Sequence, residues 1–174
     1  MSHGLSADEV ANKVCLACGL CCDGSLFKDV ELQTGDRPSL LRDNGLVLAQ
    51  RGNTFRFPQP CAALEGCVCR IYHARPSRCR QFECLLFRAV QGGEKSASEA
   101  LRTVRRARAR AERVRELLAL LGDVEGSMAL TMRFRRVQRR FEREGGDAAS
   151  LERFAELTLA VHDLNVMLRA EFYR

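Results

Sequence analysis

With 174 residues and 46% apolar side chains the chain is long enough to bury a core, which 6% aromatics and no Trp leave to Leu, Val and Ala with scattered Phe. No run approaches the roughly 18 to 20 apolar residues that span a bilayer, which excludes a membrane-spanning helix, and the net charge of +6 rests on arginine, since only Lys13, Lys28 and Lys95 are lysine. Met1 to Lys13 holds Ser, His, Asp, Glu and Asn where a leader would need an apolar stretch, so the expected location is the cytoplasm, where thiols stay reduced.

All nine cysteines lie between Cys15 and Cys84, and none follows in the last ninety residues. An odd count in short-spaced groups, in a reducing compartment, points to metal ligation rather than disulfides. The first group, Cys15-Leu-Ala-Cys18-Gly-Leu-Cys21-Cys22, predicts a loop of the zinc-knuckle or ferredoxin-cluster kind, with Gly19 making the tight turn. In extended backbone neighbouring side chains face opposite ways. Cys21 and Cys22 are therefore expected to feed two sites, or one of them to be a bystander.

The stretch Asp23 to Pro60 reads as a turn-rich excursion. Leu26 to Leu32 and Asn53 to Phe57 alternate well enough for short strands, and Gly35, Asn44-Gly45 and Gly52-Asn53 mark turns. So little apolar periodicity implies that bound metal supplies part of the folding energy of this half.

The second group is Cys61, Cys67, Cys69, Cys79 and Cys84. Cys67 and Cys69, two residues apart, would share a face in a strand. Arg70, Arg78 and Arg80 form either a solvated basic surface or a counter-charge to thiolates, because four Cys sulfurs around a divalent ion carry a net charge of about minus two. His73 is a weaker candidate ligand in the same segment.

From Ser96 the text turns helical, after Gly92-Gly93, which places a module boundary near residue 95. Ser96-Ala-Ser-Glu99 is a capping-box pattern opening a helix from about Ser98 to Leu121, with Val104, Ala107, Ala111, Val114, Leu118 and Leu121 in one stripe. A second helix, from about Ser127 to Glu144, carries Leu130, Phe134, Val137 and Phe141 and stops at Gly145-Gly146. Asp147 caps a third, with Leu151, Phe154, Leu157, Val161, Leu164 and Leu168 inward. The expected fold is α+β, a small irregular metal-stabilised cysteine module with short strands (residues 1–95) followed by an Arg-rich α-helical hairpin or three-helix bundle (residues 96–174).

The cysteine segments resemble a known family, the YkgJ-type cysteine-cluster proteins, described as zinc- or iron-chelating domains. The resemblance rests on Cys15-x-x-Cys18-Gly-x-Cys21-Cys22, on Pro60-Cys61-x-x-Leu64, and on Cys69-x-Ile71-Tyr72-x-x-Arg75-Pro76-x-x-Cys79-Arg80-x-Phe82, and it covers residues 15 to about 87. Carried over position by position, it implies Cys15, Cys18, Cys21, Cys22, Cys61, Cys69 and Cys79 as ligands, with Cys84 added, and zinc or iron, including an iron-sulfur cluster, as cofactor. Cys67 stands outside the pattern. Flagellin lysine methylases look like relatives through the same cysteines, but they are longer, and nothing here resembles a Gly-rich loop for a methyl donor, so that activity is not carried over.

Three functions compete. The first is a metal-binding module with a structural, metal-handling or partner-recruiting role, a protein partner docking on the helices. The second is a metal-dependent enzyme modifying a protein or small substrate, although the sequence holds no Ser/His/Asp arrangement, paired carboxylates or phosphate loop. The third is a nucleic-acid binder using Arg102 to Arg115 and Arg133 to Arg143; these arginines surround their helices instead of lining one face, which favours a solvated face. His3 lies near the N-terminus, and His162 reads as a helix-surface or packing residue.

Overall fold

The computed structural model describes residues 6–173, so His3 lies outside the described residues. The described residues open with a helix that the cysteine spacing does not suggest. Ser6 accepts the amide of Glu9, and the Glu9 carboxylate accepts from the Ser6 backbone, a capping box that starts α1 (Ala7–Cys18). Ala11 and Val14, three apart, are buried on its inner face. The first cysteine pair is therefore not in a knuckle-type loop: Cys15 and Cys18 occupy the last turn of a helix, which Gly19 ends in the left-handed conformation.

The first strand is shorter than the expected Leu26 to Leu32, while the strand expected at Asn53 to Phe57 is found one residue later at the same length. After β1 (Asp29–Glu31) and the short α2 (Pro38–Asp43) come β2 (Ala49–Arg51) and β3 (Thr54–Pro58). They form an antiparallel sheet in the order β1-β3-β2, with Val30 opposite Phe57 and Gln50 opposite Phe55. A two-residue pair, β4 (Leu64–Glu65) with β5 (Val68–Cys69), leads through a 3-10 turn at Tyr72–Ala74 to α3 (Ser77–Gln81) and α4 (Leu85–Gln91).

Three longer helices follow: α5 (Ala97–Leu120), opened by the Ser96–Glu99 box, α6 (Leu130–Glu144), and α7 (Ala148–Glu171), capped by Asp147. Pairing of Lys95 with Glu171 and of Arg113 with Glu156 shows that α5 and α7 run antiparallel. The expected α5 stripe is buried throughout. On α7, Leu151 is 47% exposed rather than inward, because it lies about 100° round the helix from the face shared by Leu157, Val161, Leu164 and Leu168. No described helix is long and apolar enough to cross a membrane.

Two cores result. The larger one joins Ala11, Val14, Leu20, Leu26, Leu86 and Val90 to the inner faces of α5, α6 and α7, so it crosses the boundary expected near residue 95. The smaller one, Leu32, Leu41, Leu46, Phe57, Ala63 and Ile71, lies under the sheet. The class is α+β with a helical C-terminal part, as the sequence predicts, and α1 and α4 belong to the helical layer.

Candidate metal centre

Cys21 and Cys22 follow Gly19 in a turn, not in extended backbone: the Cys22 amide donates to the Gly19 carbonyl at 2.9 Å, and the two Sγ atoms lie 3.6 Å apart. The expectation that these two sulfurs point apart fails for that reason. Two glycines permit the close packing around this turn. A Cβ on Gly19, at φ 70°, would lie 3.2 Å from the Cys67 Cα, and one on Gly24, at φ 81°, would lie 2.9 Å from the Ala129 Cα. The β4–β5 pair is thus seated on the end of α1, and the start of α6 on the cysteine turn, where the Leu130 amide donates to the Gly24 carbonyl at 3.0 Å.

Arginines of α5 tie this turn down. Arg108 donates to the Cys18 carbonyl at 2.9 Å and to the Cys67 sulfur. Arg115 donates to the Asp23 carboxylate at 2.9 Å, whose other oxygen accepts the Ser25 amide. The sequence reading counted both arginines with a solvated face; each directly follows a buried stripe residue, Ala107 and Val114, a position from which a long side chain reaches along the packed surface.

The second group comes to meet the first. The Cys61 amide donates to the Cys22 carbonyl at 2.8 Å, and Cys69 in β5 stands opposite Leu64 in β4. Cys79 lies on α3, whose first residue Ser77 donates through both its amide and its hydroxyl to Asp36 at 2.8 Å. Cys84 caps α4, its sulfur accepting the Phe87 amide at 3.3 Å. Tyr72 donates to Asn12 on α1 at 3.1 Å, and Arg75 lies over the Tyr72 ring with its Cζ 3.6 Å from the centroid. All the cysteines except Cys61 line one cavity of about 480 Å³, with Phe27, Phe82, Phe87, Arg75, Arg78 and Arg80 also in its wall.

Burial dominates the acidity of these thiols. It pushes Cys18 up to about 12, against a Leu20 amide, with the charges of Cys84 and Cys15 adding to the rise. It pushes Cys79 up to about 12, with Cys22, Cys61 and Cys69 adding, and Cys61 up to about 11, against an Ala63 amide, with Cys22 and Cys69 adding. Cys15 is raised by burial and by Cys84, and Cys69 by burial and, against the Ile71 amide, by Cys22. Between Cys21 and Cys22, the hydrogen bond leaves the proton on Cys21 and makes Cys22 the first to ionise.

Among the described residues no group of three or more Cys, His, Asp or Glu side chains is arranged to hold an ion as the side chains stand. The donor chemistry nevertheless fits a thiophilic metal: the thiols come from separate segments of the chain, lie half-buried, and respond to one another's charge. Cys67 lines the cavity too but has its sulfur paired with Arg108, and His73 is exposed, edge-on to Tyr72. His162 is exposed on α7. Asn12, Asp36, Arg108 and Arg115 are the supporting residues that the sequence reading missed.

Fold and site define a cysteine-cluster protein with a thiol-rich chelating domain built against a helical core. Residues 14–104, just over half of the chain, match the CxxCxxCC family, described as "Putative zinc- or iron-chelating domain", and the chain belongs to that family. No curated protein and no solved structure matches it.

Proposed function

We propose that this is a metal-binding protein of the reducing cytoplasm in which Cys15, Cys18, Cys21, Cys22, Cys61, Cys69, Cys79 and Cys84 are the ligands. The metal is structural: it clamps the small-sheet part onto the helical core, whose outer faces are left for a protein partner. The observation that supports this reading is the convergence of cysteines from α1, the following turn, β5, α3 and the α4 cap on one cavity. Zinc is the favoured ion, since four-thiolate zinc sites are closed structural sites; an iron-sulfur cluster uses the same donors. Elemental analysis and the visible spectrum of anaerobically purified protein test both points. Zinc gives a colourless protein and a cluster an absorbing, air-sensitive one; protein that holds no metal and takes up neither ion overturns the proposal.

The cavity itself favours a second reading, a metal-dependent enzyme acting on a small or protein substrate, because about 480 Å³ with aromatic walls falls in the range of ligand sites. A thermal-shift screen of metal-loaded protein tests it. Stabilisation by a compound, lost in Phe82→Ala with metal content unchanged, supports this reading, and no stabilisation by any compound counts against it.

A further inference from the structure

The family-pattern cysteines divide between the two cores. Cys18, Cys21 and Cys84 pack against the larger core, and Cys61, Cys69 and Cys79 against the smaller one. The backbone places the other two. Cys15 precedes Cys18 by three residues on α1, which puts both on one side of the helix. Cys22 is joined to Cys61 through its carbonyl at 2.8 Å. The sets touch where Cys21 meets Cys22, their Sγ atoms 3.6 Å apart.

Building on the metal-binding reading above, we propose two four-thiolate centres, one held by Cys15, Cys18, Cys21 and Cys84 at the larger core and the other by Cys22, Cys61, Cys69 and Cys79 at the smaller core. Cys67 belongs to neither. The adjacent cysteines thus serve different ions although their sulfurs are neighbours, and the peptide between them is the short covalent link between the centres. Each divalent centre carries a net charge of about minus two, so the pair repel. Arg75 answers this: pinned on the Tyr72 ring and carbonyl, it lines the shared cavity together with cysteines of both sets.

The test uses full-length protein loaded with zinc, iodoacetamide alkylation mapped by peptide mass, and zinc counted per chain. Wild type should hold about two ions, with Cys67 alkylated first. Cys79→Ser should lose one ion and open Cys22, Cys61 and Cys69 while Cys15, Cys18, Cys21 and Cys84 stay protected; Cys84→Ser should give the reverse. Limiting chelator on wild type provides the same readout without a variant that must fold: the species that has lost one ion should be alkylated within one set only. A one-ion-depleted species modified in both sets, or variants that each release both ions while keeping their helical circular dichroism, overturns the partition but leaves metal binding intact. Wild type that takes up no zinc or iron, with all nine thiols alkylated alike, overturns the metal-binding reading itself.

Discussion

Asp123, 5% exposed at the end of α5, is a carboxylate in a place where charge is costly. It is tolerated because both of its oxygens are bonded, one by Arg133 Nε at 2.9 Å and the other by Arg136 Nε at 2.8 Å, while Arg133 also reaches the Asp123 carbonyl at 2.6 Å. This knot orients α6 on the end of α5, helped by Arg140, which donates to the Leu121 carbonyl. Removing one partner should cost more than removing both. Arg133→Met is expected to destabilise by about 3 kcal/mol, the low end for a broken buried pair because Arg136 remains. The double variant Asp123→Leu with Arg133→Met should recover part of that loss in urea unfolding; a double variant less stable than the single one would mean the pair itself is strongly favourable. Arginines counted in the sequence as a basic surface are thus partly internal ties, a distinction that charge alone does not carry.

At the scale of elements, α5 and α7 were legible because each is a 24-residue helix with a recurring apolar spacing behind a capping residue, although on α7 the inward set excludes Leu151. The same Ser-x-x-Glu pattern stands at Ser6–Glu9 and marks α1 equally well, but the cysteine spacing invites a loop reading of that segment. The strands, two to five residues long, are too short for alternation to be distinctive, and the facing of Cys21 and Cys22 depended on a turn that spacing does not reveal. The caps give a pH prediction. The Ser150 amide, at 2.7 Å, is the main cause holding the Asp147 carboxyl below its ordinary 3.8. A carboxyl lowered in the folded state contributes stability that is present above the unfolded value and lost as pH falls through the native one. Asp147→Asn should therefore flatten the fall in thermal stability below about pH 4 while still capping α7. An unchanged acid limb in circular-dichroism melts would show that the ionised cap contributes nothing there.

For the whole molecule, the two cores set what metal removal does. Among the described residues the larger core contains 21 buried apolar side chains and the smaller core six. Six cannot offset the ordering of a segment as long as residues 28–82, whereas the larger core is of the size that holds a domain. The ends of the helical layer are also tied without cysteine, the Tyr173 hydroxyl donating to the Leu26 carbonyl at 2.7 Å and the Leu85 amide to the Phe172 carbonyl at 3.3 Å. Chelation is therefore expected to release residues 28–82 to protease while α1 and α4 to α7 keep most of the helical circular dichroism. The limit of release falls near residue 82, where the small-sheet part meets α4, not at the composition change near residue 95. Limited proteolysis of chelated full-length protein, with cut sites mapped by mass, checks this. Early cuts confined to residues 28–82 are the expected result; cuts within residues 85–120 appearing at the same rate would mean that the metal holds the helical core as well.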